Sequence, residues 1–390
     1  MQIQLKSISS ILLLLSAILV PMYFTDFRMH VGGLILRLAD VMSLTIILLF
    51  IICKRFAVVQ LYLPKGYAFL LLFVTYCFIN GICQSGLLYT ISETLQWLLM
   101  LSTLAIVYSQ FVAHPKQFTS LFFKTLLVIC LFIVLYHFSI GKFTHYKSLG
   151  DAKYVLALTG VLMLTYTYYY QDKRYLLPLC ILYPFIHFSL ERKGILAFHL
   201  VLFFYCCLSF KSLIRWGILF ACFALFIFLL INPLLIDFSD FKIFEYSSYE
   251  MVHLDEEKAK WISNYHRQHL LESGWNIFIN NVWFGVGPKM LTYSMLDYYT
   301  NSGLAIYTHN VFLDTLIEQG SIGLILLLLP YLVYLLTSKL NGRGEKEAFI
   351  GLTVYSLVML FFMSGGAPSM VLLYLPLFSG FVLIEKEKHY

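Results

Sequence analysis

The chain has 390 residues, 60% of them hydrophobic and 12% charged, with a formal net charge of +6 and a mean hydropathy of +0.80. That much apolar surface excludes a soluble globular protein, because apolar runs of about 20 residues, long enough to cross the hydrocarbon core as helices, recur along the whole sequence. The positive balance follows the distribution of Lys and Arg expected of a membrane protein and gives no reason to invoke nucleic acid.

In chain order the runs fall at 7–24, 33–53, 66–84, 88–112, 118–140, 153–171, 174–190, 194–210, 213–232, 309–338, 346–364 and 368–385. They predict an all-α, polytopic membrane protein of about twelve transmembrane helices with one long, partly helical external loop. Residues 1–232 would hold the first nine spans, 233–308 the loop, and 309–390 the last three. The first run follows Lys6 and has no small-residue cleavage pattern after it, so it reads as a retained span. Only Glu191, Arg192 and Lys193 separate the seventh and eighth runs.

Positively charged residues set the expected orientation. With the N-terminus inside, the cytoplasmic connections carry Lys54, Arg55, Lys65, Lys116, Lys173, Arg174, Lys211, Arg215, Lys339, Arg343 and Lys346, and the C-terminus adds Lys386 and Lys388. The outer connections carry fewer, mainly Lys142, Lys147, Arg192 and Lys193. Both termini are expected in the cytoplasm and the long loop outside. All eight cysteines lie in or at the ends of apolar runs without metal-ligand spacing, so neither a disulfide nor a structural metal is expected.

The loop 233–308 is too long for a simple connection and, with Trp261, Trp275 and Trp283, is not of disordered composition. Residues 255–281 read as a helix, with Asp255, Glu256 and Glu257 at its positive end and an apolar stripe of Leu271, Trp275 and Phe278. Such a helix would lie on the bilayer surface or cap the bundle. Asn280 to Pro288 then breaks it, and Gly285 and Gly287 permit either an ordinary tight turn or close approach to a ligand. The loop holds nine acidic and five basic residues, so an anion bound here would need individually placed arginines, whose planar forks grip phosphate.

Three outer-face positions stand out. Arg192 opens the eighth span on the side where positive charge is disfavoured, although a snorkelling arginine would look the same. Arg267 lies on the loop helix, one turn before Leu271. His309 stands where the chain re-enters the membrane. Capping by Thr308 would put His309 in the first turn, where the helix dipole disfavours the imidazolium and leaves the neutral ring a general base requires. Asn310, Asp314 and Glu318 follow at four-residue spacing, either as supporting site residues or as a buried polar network between helices. Gly320 and Gly323 would let another helix approach closely.

His309-Asn310-x-x-Leu313-x-x-x-x-Glu318-x-Gly320-x-x-Gly323 resembles the His-Asn helix of the bacterial O-antigen ligase and O-antigen polymerase family. Arg192-Lys193-Gly194-Ile195-Leu196 resembles the arginine after a short polar turn in that family. Arg267 followed by Trp283-Phe284-Gly285-Val286-Gly287 resembles its loop arginine and Gly-x-Gly turn. The family commonly has Ser before the first arginine; here Glu191 stands there and is less favourable for an anion. The resemblance implies a metal-independent, inverting glycosyltransferase without cofactor at the outer face of the cytoplasmic membrane. Its donor would be a glycan on undecaprenyl pyrophosphate, and its acceptor a lipid-linked repeat unit (polymerase) or lipid A core (ligase). Membrane lipids and a chain-length regulator would be further partners. Arg192 and Arg267 would hold the pyrophosphate, His309 would take the acceptor proton, and Lys193, Asn310, Asp314, Glu318, Gly285 and Gly287 would support them. The shared motifs do not separate the two activities, and polymerase is preferred because it also serves capsule and exopolysaccharide pathways. A lipid-glycan flippase is the competing class; transporters commonly carry broken mid-membrane helices, whereas the polar groups here gather at one face.

Overall fold

The computed structural model describes residues 2–23, 28–31, 34–56, 59–64, 66–139, 154–170, 176–188, 192–208, 217, 269–296, 307–337 and 343–363. The spans expected at 213–232 and 368–385, Arg267, and most of the long loop lie outside them.

The described elements are helical apart from one hairpin. Helix α1 (Gln2–Met22) is followed by antiparallel strands β1 (Arg28–Val31) and β2 (Leu34–Arg37), with Val31 opposite Leu34. The hairpin departs from the all-α expectation and takes the first turn of the span expected at 33–53; Gly32-Gly33 between the strands is a hairpin signal in the sequence. Helices α2 (Leu38–Arg55), α3 (Tyr67–Gln84), α4 (Leu87–Ala113), α5 (Pro115–Ser139), α6 (Tyr154–Tyr170), α7 (Leu176–Phe188) and α8 (Arg192–Leu208) follow the apolar runs closely. The long loop contributes α9 (269–280) and the short α10 (Leu291–Leu296). Helices α11 (Val311–Thr337) and α12 (Arg343–Phe361) complete the described set.

Among the described residues, four helical stretches are long and apolar enough to cross a membrane: Tyr67–Gln84, Leu87–Ala113, Pro115–Tyr136 and Val311–Val333. The other apolar helices are shorter, including Tyr154–Tyr168 and Lys193–Leu208. Large apolar side chains such as Leu48, Leu72, Ile79, Leu95, Val128 and Leu131 face outward from these helices, a pattern suited to lipid and not to water. The chain is an integral membrane protein.

Helix α1 packs on α2 and α5, α3 on α4 and α11, and α6 on α7, α8 and α12 around a common core that includes Phe73, Leu101, Leu156, Phe198 and Tyr355. Polar contacts tie the helix ends together. At one end, the Lys193 ammonium at the start of α8 lies 4.4 Å from the Tyr154 ring centroid at the start of α6 and donates to the Phe362 carbonyl (3.3 Å) just beyond α12. Lys193, expected as a supporting site residue, thus joins three helix ends. At the other end, Tyr168 of α6 donates to Glu347 of α12 (3.2 Å), and Ser109 of α4 binds the backbone of Tyr62.

A second, smaller core lies beside the first half of α11. Leu270, Ile277 and Phe278 of α9, with Leu291 and Met295 of α10, close over Leu313 and Ile317. The expected stripe of Leu271, Trp275 and Phe278 is therefore split: Phe278 is buried, while Leu271 and Trp275 face outward.

Candidate active site

The polar site is built where α11 begins and where it breaks. The helix starts at Val311, and its cap is Asn310, not Thr308. The Asn310 carboxamide oxygen accepts the amides of Phe312 (3.0 Å) and Leu313 (3.1 Å), and its carbonyl accepts the first helical bond from Asp314 (2.8 Å). Thr308 does not cap: its hydroxyl oxygen accepts the Asn310 amide (3.2 Å), ahead of the helix. It donates to the Asp314 carboxylate (2.6 Å), and the Thr308 amide donates to the same oxygen (3.2 Å).

His309 therefore stands ahead of the cap, partly buried, in the left-handed region at φ 57°. The expected first-turn position, and the dipole argument drawn from it, do not hold. Left-handed backbone costs a non-glycine residue about 1–2 kcal/mol. A hydrogen bond to a charged group contributes about 1.5–3 kcal/mol. The two Thr308–Asp314 bonds are thus sufficient to hold His309 in this conformation.

The second feature is the interruption of α11 at Gly320, at φ 65° and ψ −173°. In an unbroken helix the Ile317 and Glu318 carbonyls would accept the Ser321 and Ile322 amides. Here both pairs exchange partners with the turn after α9. Val286 and Gly287 donate to the carbonyls of Ile317 (2.8 Å) and Glu318 (2.9 Å), while Ser321 and Ile322 donate to those of Val282 (2.8 Å) and Trp283 (3.4 Å). Helix α3 completes the exchange: Tyr76 donates its hydroxyl proton to the Gln319 carbonyl (2.7 Å), and Asn80 donates to the Phe284 carbonyl (2.7 Å). Irregular backbone at membrane depth is tolerated only when its polar groups are satisfied by protein in this way.

The glycines follow from this geometry. A Cβ on Gly285 would lie 2.5 Å from the Ile317 oxygen, and one on Gly320 would collide with the Trp283 carbonyl. Gly285 and Gly287 therefore serve the turn reading, and they lock the turn into α11. Gly320 admits a turn and not a neighbouring helix, while Gly323 faces the Tyr76 ring of α3.

The expected stripe of Asn310, Asp314 and Glu318 divides into three jobs: cap, clamp, and a carboxylate turned to the segment after the turn. Glu318 accepts the Leu291 amide at 3.4 Å and lies within electrostatic reach of Asp314 and of Glu93 on α4. Glu93 accepts the Trp97 indole N–H (2.7 Å) and lies 4.0 Å from the Lys289 ammonium, which also donates to Ser92 (3.0 Å). Tyr76, Asn80, Glu93 and Lys289 were not singled out by the sequence reading. Asn80 and Glu93 carried a usable signal, since each is a strongly polar residue inside an apolar span.

Arg192 is the first residue of α8, at the same bundle end as Lys193; its side chain lies outside the described residues. Arg267 also lies outside them. The structure gathers His309, Asn310 and Asp314 at the start of α11, and Glu318, Gly285 and Gly287 at its break.

Two comparisons bear on this arrangement. No curated protein matches the chain. Residues 176–328, from the start of α7 into α11, match the family model described as O-antigen ligase. That stretch spans Arg192, the turn after α9, the His-Asn cap and the Gly320 break, and the apolar helices around it are those of a membrane protein. Over these residues, about two fifths of the chain, the protein is similar to the O-antigen ligase family.

Proposed function

We propose that the protein transfers a glycan from an undecaprenyl pyrophosphate carrier to an acceptor hydroxyl at the outer face of the bacterial cytoplasmic membrane. The observation that carries this reading is the family match over the segment that contains both halves of the polar site, the locked turn and the clamped His309. Both termini would be cytoplasmic, with the start of α11 outside.

In the proposed reaction the acceptor hydroxyl attacks the anomeric carbon, the bond to the pyrophosphate breaks, and the configuration inverts. His309 takes the acceptor proton. Arg192 and Arg267 hold the pyrophosphate and stabilise the charge that develops on it as it leaves. Asp314 and Asn310 position the histidine, and no metal is required. Transfer to a second lipid-linked repeat unit, the polymerase reaction, is the preferred version, with a chain-length regulator as a further partner. The description of the matching family favours the ligase version, in which lipid A core is the acceptor. A flippase would need the broken α11 to present free backbone groups to its cargo. The occupation of those groups by the turn argues for the enzyme.

The test is single-turnover transfer from a defined lipid-linked donor to each acceptor in turn. His309→Ala should lower the rate by roughly 10²–10⁴, the range for a lost general base, and His309→Gln should behave alike. The wild-type rate should decline toward acid pH, and that decline should disappear in both variants. Near wild-type turnover by His309→Gln, with that decline intact, would remove the base assignment. Absence of transfer to either acceptor by the wild type would remove the enzyme reading.

A further inference from the structure

Helix α9 has three faces, each of a different chemistry. Leu270, Ser273, Gly274, Ile277 and Phe278 are buried against α10 and α11, with Gly274 lying against Thr308 and Ile317. Glu272, Asn276 and Asn280 form an exposed polar line. Leu271, Trp275 and Ile279, at 38%, 51% and 52% exposure, form an exposed apolar line. The two exposed lines are one residue step apart, about 100° around the helix. The apolar line continues past the end of α9 into Val282, Trp283 and Phe284, and Trp283 is 66% exposed.

We propose that this outward apolar face is inserted in the outer leaflet of the bilayer, so that α9 lies where protein, lipid and water meet. A helix wholly in water would not keep an unbroken apolar line beside its polar one, and a helix buried in the bundle would not keep the polar line. Depth agrees. The buried face of α9 covers Leu313 and Ile317, in the first two turns of a helix of membrane length, and Gly287 at the end of the next turn lies against Gln84 and Ser85, where α3 ends. Tryptophan at two of the six exposed apolar positions suits the boundary between headgroups and acyl chains, and glutamate and asparagine on the adjoining line suit the aqueous side. The occupant is thus the lipid surface itself, continuous with the outward apolar faces of the spanning helices. Because the opposite face of α9 touches Thr308, this anchor fixes the depth of His309 at the headgroup boundary. The choice of the outer leaflet rests on the orientation proposed above, with the start of α11 outside.

The experiment uses adjacent positions in the full-length protein, purified and placed in lipid nanodiscs. Cysteine is introduced at Ile279→Cys or Asn280→Cys, and labelling by a charged, lipid-impermeant maleimide is compared with the wild-type background. Asn280→Cys should label readily, and Ile279→Cys at least tenfold more slowly. Dissolving the same nanodiscs in a short-chain detergent should narrow the gap. A second readout is tryptophan emission in lipid brominated near the top of the acyl chains: quenching should drop in Trp275→Phe/Trp283→Phe relative to wild type. Equal labelling of the two cysteines, or tryptophans quenched by aqueous iodide and not by bromolipid, would place this face in water and overturn the proposal.

Discussion

Alanine at Gly320 tests whether the fold requires the interruption of α11. Two effects act together there. The backbone conformation at Gly320, φ 65° with ψ −173°, is one that essentially glycine alone adopts, and it costs a side-chain-bearing residue about 1–3 kcal/mol. The new Cβ would also push against the Trp283 carbonyl, loosening the bonds from Ser321 and Ile322 to the turn, which contribute about 1 kcal/mol each. Gly86 provides the comparison. It has φ 85°, and a Cβ there would meet nothing within 4 Å, so Gly86→Ala carries the backbone cost alone. The expected destabilisation is about 3–5 kcal/mol for Gly320→Ala against about 1–3 kcal/mol for Gly86→Ala. Thermal unfolding in nanodiscs should therefore show a midpoint drop roughly twofold to threefold larger at Gly320. A cysteine at Val286, partly protected in the parent because this side chain is half-buried against the small core, should become more reactive in the Gly320→Ala background. Equal midpoint drops for the two alanine variants, with Val286→Cys still protected, would refute the claim that turn and break depend on each other.

Three further outcomes follow from the site. Asp314→Ala should destabilise the protein by about 1–3 kcal/mol for each donor of Thr308 left unpaired, and should abolish transfer by releasing His309, whereas Asp314→Asn, which can still accept one bond, should lose less of both; thermal midpoints and turnover measured together would expose a purely structural role if activity survived. Arg192→Ala and Arg267→Ala should each lose most transfer while still inserting, and Arg→Lys should recover only part of it, because a point charge cannot replace the bidentate fork; full activity in Arg267→Ala would remove that residue from the site. Ser247→Cys should react with an impermeant thiol reagent in intact spheroplasts, and labelling only after lysis would reverse the orientation given to the loop.

The spanning helices were legible because a run such as Tyr67–Gln84 must be continuously apolar to cross lipid, whatever surrounds it. The break in α11 was not. Leucine and isoleucine continue on both sides of Gly320, so the apolar run gives no sign that the backbone changes direction, and Gly320 with Gly323 reads equally well as a helix-packing pair. The break becomes visible only with the partner that satisfies it, the turn at 282–287, which is distant in sequence. The cap was misread for a related reason. Thr308 and Asn310 are both good capping residues, and it is Asn310 that sits where its side-chain oxygen reaches the first helical amides, while Thr308 donates to Asp314 one turn into the helix. The split of Leu271, Trp275 and Phe278 between two faces reflects a helix apolar on two sides, which a single-stripe reading merges into one.

The interruption also turns the start of α11 into a measuring rod. Nine residues, Val311 to Gln319, separate the cap from Gly320, and at 1.5 Å per residue they set His309 about 14 Å from the notch in which the turn is seated. One inserted residue in this interval would lengthen the rod only slightly but would swing the histidine about 100° around the helix axis, away from everything α9 and α3 hold in place. Length variation should therefore be rejected between Asn310 and Gly320, so that the count of residues in that interval matters as much as their identity.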